Sequence, residues 1–335
     1  MAKNRFHYLT APAATKHQPA VRRRCEDDRV SDNSHKQRPP VAQIERWLTE
    51  HHQAPISEVR PVRGGYWSSA WSYRAGDNDL ILRLGDSGAG YRIDDAAASF
   101  GNAGLPVPKV LYIGGALGKA VAISQRLFGS FVEESEAKNA SQVGAALTDL
   151  FVQMRSVPPR DVEWYKPTRG VSDWRSWLAR DLPLPPIIDE RWPSACDAHP
   201  DLRATRDRAV EAIVAWLPLC PERRDLIHRD LLHQNVLIDG DAITGIFSWK
   251  HSLFGDFLYD VAACSLWGAW HEAIAAADMW NRIQAVVPST DLIDAAERLR
   301  MYQLHIAVEH LYWYVMTNND KELARLLDVT TPLLS

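Results

Sequence analysis

From Ile227 to Ile238 the chain reads Ile-His-Arg-Asp-Leu-Leu-His-Gln-Asn-Val-Leu-Ile, an H-x-D-x-x-x-x-N spacing that runs into an apolar stretch. An Asp and an Asn so spaced on one loop suit phosphoryl transfer. The Asp, Asp230, orients the acceptor hydroxyl and takes its proton, and the Asn, Asn235, holds a divalent cation. The transferred group carries so much charge that positioning and neutralisation do most of the catalysis. A lone D-x-x-x-x-N serves equally as a turn cap and a strand start. His228 ahead of it and the Val236–Ile238 run behind it favour the chemical reading. His233, inside the loop, is read as a packing or solvent residue rather than a second base.

The elements that must carry this loop fall into two kinds. Val41, Ile44, Trp47 and Leu48 follow helical spacing within Val41–His51. Short strands are then expected at Val59–Arg63, Trp71–Arg74 and Leu80–Leu84, with the Gly76–Asp79 cluster as a hairpin turn. A helix is expected from Tyr91 to Asn102, then strands Val110–Ile113 and Ala120–Gln125 separated by Gly114-Gly115. Beyond Gly129 the pattern turns helical: Val143–Met154, Ser172–Asp181, Leu202–Leu217, Tyr259–Ala277 and Leu292–Met316. One strand pair, Val236–Asp239 and Ile243–Phe247, is joined by Gly240-Asp241. An α+β, bilobal fold is expected, with a basic tail over 1–40, a sheet-rich lobe over 41–128 and a helical lobe over 129–335. Two such lobes imply a cleft that takes a ligand.

Composition narrows the partners. The 335 residues are 46% hydrophobic and 24% charged with a net charge of −4, which excludes a generally basic nucleic-acid binder. Residues 1–42 hold nine Lys/Arg against four acids, so a +5 tail precedes a −9 body that suits a cationic small molecule. Residues 1–40, with no apolar periodicity, read as a disordered extension. Four scattered cysteines with no CxxC pair match a cytoplasmic protein, and no apolar leader or spanning segment is evident. The expectation is a monomer or weak dimer with neither nucleic acid nor membrane as partner.

Several pieces in order, Leu80–Leu84, Ala103–Leu111, Ile123–Gly129, His228–Ile238 and Phe254–Ala262, resemble the aminoglycoside phosphotransferase family, which has the protein-kinase-like fold. The similarity runs from about Val41 to about Ala324 and is most evident toward the hygromycin-B phosphotransferase type. The resemblance implies Mg²⁺-dependent transfer from ATP or GTP to a hydroxyl of a small molecule, with Asp230 as base and Asn235 as metal ligand. It places Arg83 on the nucleotide phosphates, where the planar guanidinium fork is an acceptable partner. Gly64, Gly65, Ser68 and Ser69 fall at the nucleotide loop, although no G-x-G-x-x-G is present and a plain hairpin turn fits the same residues. Gln125 and Leu127 fall in the hinge whose backbone would meet the base. Asp94 or Asp95 would pair with Arg83.

One departure matters. Where the family carries a metal-binding Asp before a Trp, this chain has Ser248 before Trp249, followed by Lys250. A hydroxyl is a weaker ligand for a hard cation than a carboxylate, and Lys250 adds positive charge. Slow phosphotransfer, a nucleotide- or substrate-binding pseudoenzyme, and an altered descendant of an active parent all stay open at this point. Asp256 is implied to be a structural acid and Asp260 a helix-start acid bracing the catalytic loop.

Overall fold

The structure, a computed structural model, describes residues 38–62, 68–102, 104–159, 173–180, 182–185 and 190–335. Residues 1–37 of the basic tail, and Gly64 and Gly65, lie outside the described residues. The chain divides into two compact units, one running to Arg92 and including Lys109–Arg126, the other formed by Ile93–Pro108 with Leu127–Ser335. Among the described residues no helix is long and apolar enough to cross a membrane.

The first unit is a helix on an antiparallel sheet. Helix α1 (Val41–His51) buries Ile44, Trp47 and Leu48, which its 3.6-residue period places on one face. The sheet has the order β1-β2-β3-β5-β4, from strands β1 (Ile56–Val62), β2 (Ser68–Ala75), β3 (Asn78–Gly85), β4 (Val110–Ala116) and β5 (Lys119–Gln125). Along β3, Leu80, Leu82 and Leu84 are buried, whereas Ile81 and Arg83 on the other face are only half-buried. The β4–β5 turn is not at Gly114-Gly115 as expected. It falls at Leu117 (φ 53°) and Gly118 (φ 74°), because a two-residue hairpin turn matching strand twist needs positive φ at both positions. Gly114 stays inside β4, where a Cβ would run into the Tyr112 ring.

Helix α2 (Ala89–Ala97) and one 3-10 turn to Phe100 stop short of the expected Asn102. Gly101 is already extended ahead of the Leu-Pro-Val-Pro run.

The second unit is mainly helical. Its helices are α3 (Ala140–Ser156), α4 (Trp174–Arg180), α5 (Trp192–Ala198), α6 (Asp201–Trp216), α7 (Leu258–Trp267), α8 (Glu272–Ala277), α9 (Met279–Val286), α10 (Ala295–Thr317) and α11 (Asp320–Thr330). Seven successive residues of α7, Leu258 to Cys264, are buried, and α10 buries residues on every side, so both are core helices. Cys220 and Cys264 are buried free thiols. The single helix expected over Tyr259–Ala277 is broken after Trp267. Gly268 lies against Ala275, whose Cα would be 3.1 Å from a Cβ at that glycine, so the fold-back leaves little room for a side chain. The expected start at Leu292 is a 3-10 turn (Ser289–Leu292), and α10 begins after Asp294, which is left-handed at φ 51°.

Two small sheets complete this unit. Strand β7 (Asp225–Ile227) pairs with β10 (Leu253–Gly255), and β6 (Ser130–Phe131) pairs with β8 (Val236–Asp239), which pairs with β9 (Ala242–Ile246). The expected β8–β9 hairpin is present, turning at Gly240 (φ 62°). Antiparallel sheet precedes a helical region, as the α+β expectation required.

Candidate active site

The H-x-D-x-x-x-x-N segment is the loop between β7 and β8. It contains two non-glycine residues with left-handed backbone, Arg229 (φ 68°) and Gln234 (φ 60°). Each such residue costs on the order of 1–3 kcal/mol and persists only when its surroundings over-determine it. Here they do. Asp260, buried in the first turn of α7, accepts the backbone N–H of His228 (2.7 Å) and of Arg229 (2.8 Å). Glu133 accepts the Gln234 N–H (2.5 Å). The Phe247 N–H donates to the Asn235 carbonyl at 2.9 Å, tying the loop's exit to the end of β9.

His228 is fully buried and bridges the loop internally. Its Nε2 lies 2.8 Å from the Phe247 carbonyl, which can only accept, and the Asp230 N–H donates to its Nδ1 at 3.3 Å. The carbonyl can take a proton only from Nε2, which leaves Nδ1 facing the Asp230 N–H. The ring stands edge-on to Trp249, centroids 4.8 Å apart.

Asp230 has its backbone fixed on both sides, since the Asn235 Nδ2 donates to the Asp230 carbonyl (2.5 Å). Its carboxylate stays partly open to solvent and meets His233 Nδ1 at 2.7 Å. Burial alone would raise its pKa, but the His233 hydrogen bond and charge, with His228 and His251 beyond, outweigh burial and hold it well below the usual carboxylate range. The same contact raises the His233 pKa against the effect of burial. His233, expected as a packing or solvent residue, is exposed at the surface and also partners the central carboxylate. It also stacks on His310 (5.7 Å) and meets the edge of Trp267 (5.2 Å).

Past β9 the chain turns at Ser248, itself left-handed (φ 63°, ψ 52°). Trp249 anchors this corner: its side chain is fully buried and its N–H donates to Asp94 at 2.8 Å. Asp94 is thus a backbone acceptor for the corner, while Asp95 is exposed. Asp256 is fully buried, bound by Arg298 Nε (2.9 Å) and Nη2 (2.7 Å) and by the Tyr302 hydroxyl (2.8 Å). Asp256 and Asp260 are both consumed by structural bonds.

In the first unit Arg83 faces away from the buried leucines, its guanidinium 4.9 Å from the Tyr91 ring centroid. It pairs in register with Ala70, and Ser68, two residues away on β2, shares that face, whereas Ser69 is buried on the opposite face with Trp71. Gln125 accepts the Lys109 N–H through its side-chain oxygen (3.2 Å) and is otherwise exposed. In the second unit Leu127 is half-buried against Gly245.

The Asn235 Oδ1 and the Ser248 hydroxyl are oxygens of the right kind for a divalent cation but carry no charge. Among the described residues no group of three or more His, Cys, Asp or Glu could hold a metal. Magnesium ordinarily takes one or two carboxylates, so these residues do not fit a resident Mg²⁺. His233, Glu133 and Glu309 were missed as site neighbours by sequence reasoning. The i+3 spacing of Asp230 and His233 was the available signal for His233. Glu133 and Glu309 reach the loop from 101 and 80 residues away, with no local signal.

Four likenesses follow from comparison with known proteins. Residues 58–294 match the model of the phosphotransferase enzyme family. The hygromycin-B 4-O-kinase of Escherichia coli is 25% identical over 288 residues, 84% of this chain and 81% of that protein. The aminoglycoside phosphotransferase APH(4)-Ia, in a ternary complex with AMP-PNP and hygromycin B, superposes with a TM-score of 0.72 at 23% identity, covering 87% of this chain and 98% of that one. The homoserine kinase of Methylobacillus flagellatus is 21% identical over 229 residues, 66% of each chain.

Proposed function

The chain belongs to the phosphotransferase enzyme family, and on that premise we propose that it is a kinase moving the terminal phosphoryl group of ATP to a hydroxyl of an aminoglycoside, hygromycin B being the first candidate. The observation that carries this reading is the Asp230 carboxylate: fixed at its backbone, partly open to solvent and kept ionised. A carboxylate held this acidic is a poor base toward a resting hydroxyl but a good hydrogen-bond acceptor for one. It aims the hydroxyl oxygen and takes the proton late, which suits a loose transition state.

Arg83 would meet the nucleotide phosphates with its planar fork, and Ser68 would add a hydroxyl on the same face. The backbone around Gln125 and Leu127 would meet the base, and Gly64 and Gly65 would allow close approach to the phosphates. Asn235 and Ser248, the candidate metal ligands, would contribute two neutral oxygens, and no step is routed through a resident cation. The −9 body favours a polycationic acceptor over a neutral one.

The test is ATP consumption with hygromycin B, other aminoglycosides and homoserine as acceptors. Asp230→Ala is expected to lower turnover by roughly 10²–10⁴-fold. Ser248→Asp is expected to lower the Mg²⁺ concentration needed for half-maximal rate. A parent protein no faster than Asp230→Ala with every acceptor would overturn the proposal.

A further inference from the structure

We infer that Arg229 and Glu309 form a clamp that positions Asp230, making both positioning residues of the reaction proposed above, on which this inference rests. Residue 229 sits at φ 68°, where glycine is at ease and a side chain is strained by roughly 1–2 kcal/mol. The strain is offset by what the arginine side chain does. Its Nη2 donates to both Glu309 oxygens, at 2.8 and 2.9 Å, from a position only 13% exposed. Its guanidinium lies 4.1 Å from the Trp177 ring centroid and 5.6 Å from that of Tyr259. The Tyr259 hydroxyl also donates to Glu309 (3.1 Å). One side chain is thereby tied to α4, α7 and α10.

The platform beneath is itself fixed. Trp177 stacks flat on Trp174 (5.1 Å, 1°), whose Nε1 donates to the Tyr302 hydroxyl, which in turn donates to Asp256. Charge complements shape: the Arg229 charge outweighs burial and holds Glu309 near pKa 2, so the pair stays ionised at neutral pH. The backbone N–H of Arg229 is independently held by Asp260. With backbone and side chain both held, the peptide leading into Asp230 is restrained. Through Arg229, Glu309 thereby restrains the backbone from which the Asp230 side chain projects.

Three variants of the full chain, Arg229→Gly, Arg229→Lys and Glu309→Gln, test the clamp by amide hydrogen exchange of the 228–235 loop and by kinetics. Arg229→Gly relieves the backbone yet is expected to speed loop exchange by about tenfold. It is expected to lower kcat by at least about tenfold with KM for ATP and acceptor within about threefold, since misplacement acts on the transition state. Arg229→Lys should not rescue, because a point charge lacks the fork and the flat face. Should Arg229→Gly fail to fold, Glu309→Gln carries the same readouts. Unchanged loop exchange overturns the clamp, and faster exchange at parental kcat overturns its positioning role. A parent no more active than Asp230→Ala strikes the proposed reaction alone, because exchange still judges the clamp.

Discussion

Two stretches flank the β8–β9 hairpin, the loop 228–235 ahead of it and the corner 248–252 behind it. Both contain non-glycine residues with left-handed backbone, and both are tied to the core by carboxylates from elsewhere in the chain. The loop is held by Asp260, Glu133 and Glu309, and the corner by Asp94 through the Trp249 N–H. They differ in what stands at the chemical position. The loop presents an ionised Asp230, whereas the corner presents the neutral Ser248. Acids that fasten backbone or buried arginine hold both stretches, whereas only the loop presents a carboxylate of its own.

Removing the strongest fastening should break the contrast most. Asp260→Ala deprives two buried N–H groups of a charged acceptor, each such bond contributing about 1.5–3 kcal/mol. The expected result is a loss of about 3–6 kcal/mol in denaturant unfolding, with the loop no better held than the corner. A loss below about 1 kcal/mol would show that the loop is carried by packing instead.

The sequence foreshadowed these two stretches unequally. The Asp230–Asn235 spacing, the hairpin and the substitution at Ser248 could be read directly, because each is local. Asp260 was reached only through resemblance, and Glu309 not at all, since pairing across 80 residues leaves no periodic trace. The misplaced turn at Gly114-Gly115 has a different origin. Glycine there makes room for Tyr112, while the turn fell on a leucine whose positive φ no propensity suggests. The break at Gly268 was hidden by an apolar run that reads as one helix, because the contact with Ala275 that folds it back is tertiary. Three-residue strands such as β7 and β10 are too short to show a period at all.

A second, smaller effect sharpens the contrast between the two left-handed residues. Ser248→Gly is expected to stabilise the protein by about 0.5–1 kcal/mol, since the serine hydroxyl makes no capping hydrogen bond to offset its strain. The same replacement at Arg229 is expected to do the opposite. A raised Tm for Ser248→Gly alone would separate them, and equal responses would not.

The smallest effect concerns the Asp230–His233 pair. Its histidine pKa is raised, so that share of stability is full below the ordinary imidazole range and fades as pH rises through the folded value. Its carboxylate is lowered, so that share is present above the ordinary Asp range and fades as pH falls. The pair should therefore stabilise most between about pH 4 and 6.5. His233→Asn is expected to cost less than about 1 kcal/mol there, because His233 is partly exposed, and still less by pH 9. Thermal melts of both proteins across pH check this, and a difference growing toward alkaline pH would contradict it.

Cys264 lies one helical turn beyond Asp260 on α7, buried, with its thiol pushed far up the scale by loss of solvent. Such a sulfur cannot react while the helix is closed, because only the thiolate attacks. Its alkylation must then wait for α7 to open, the same event that releases the Asp260 anchor of the 228–235 loop. The molecule thus carries its own clock: the rate at which one silent sulfur becomes reactive counts how often the loop's foundation gives way.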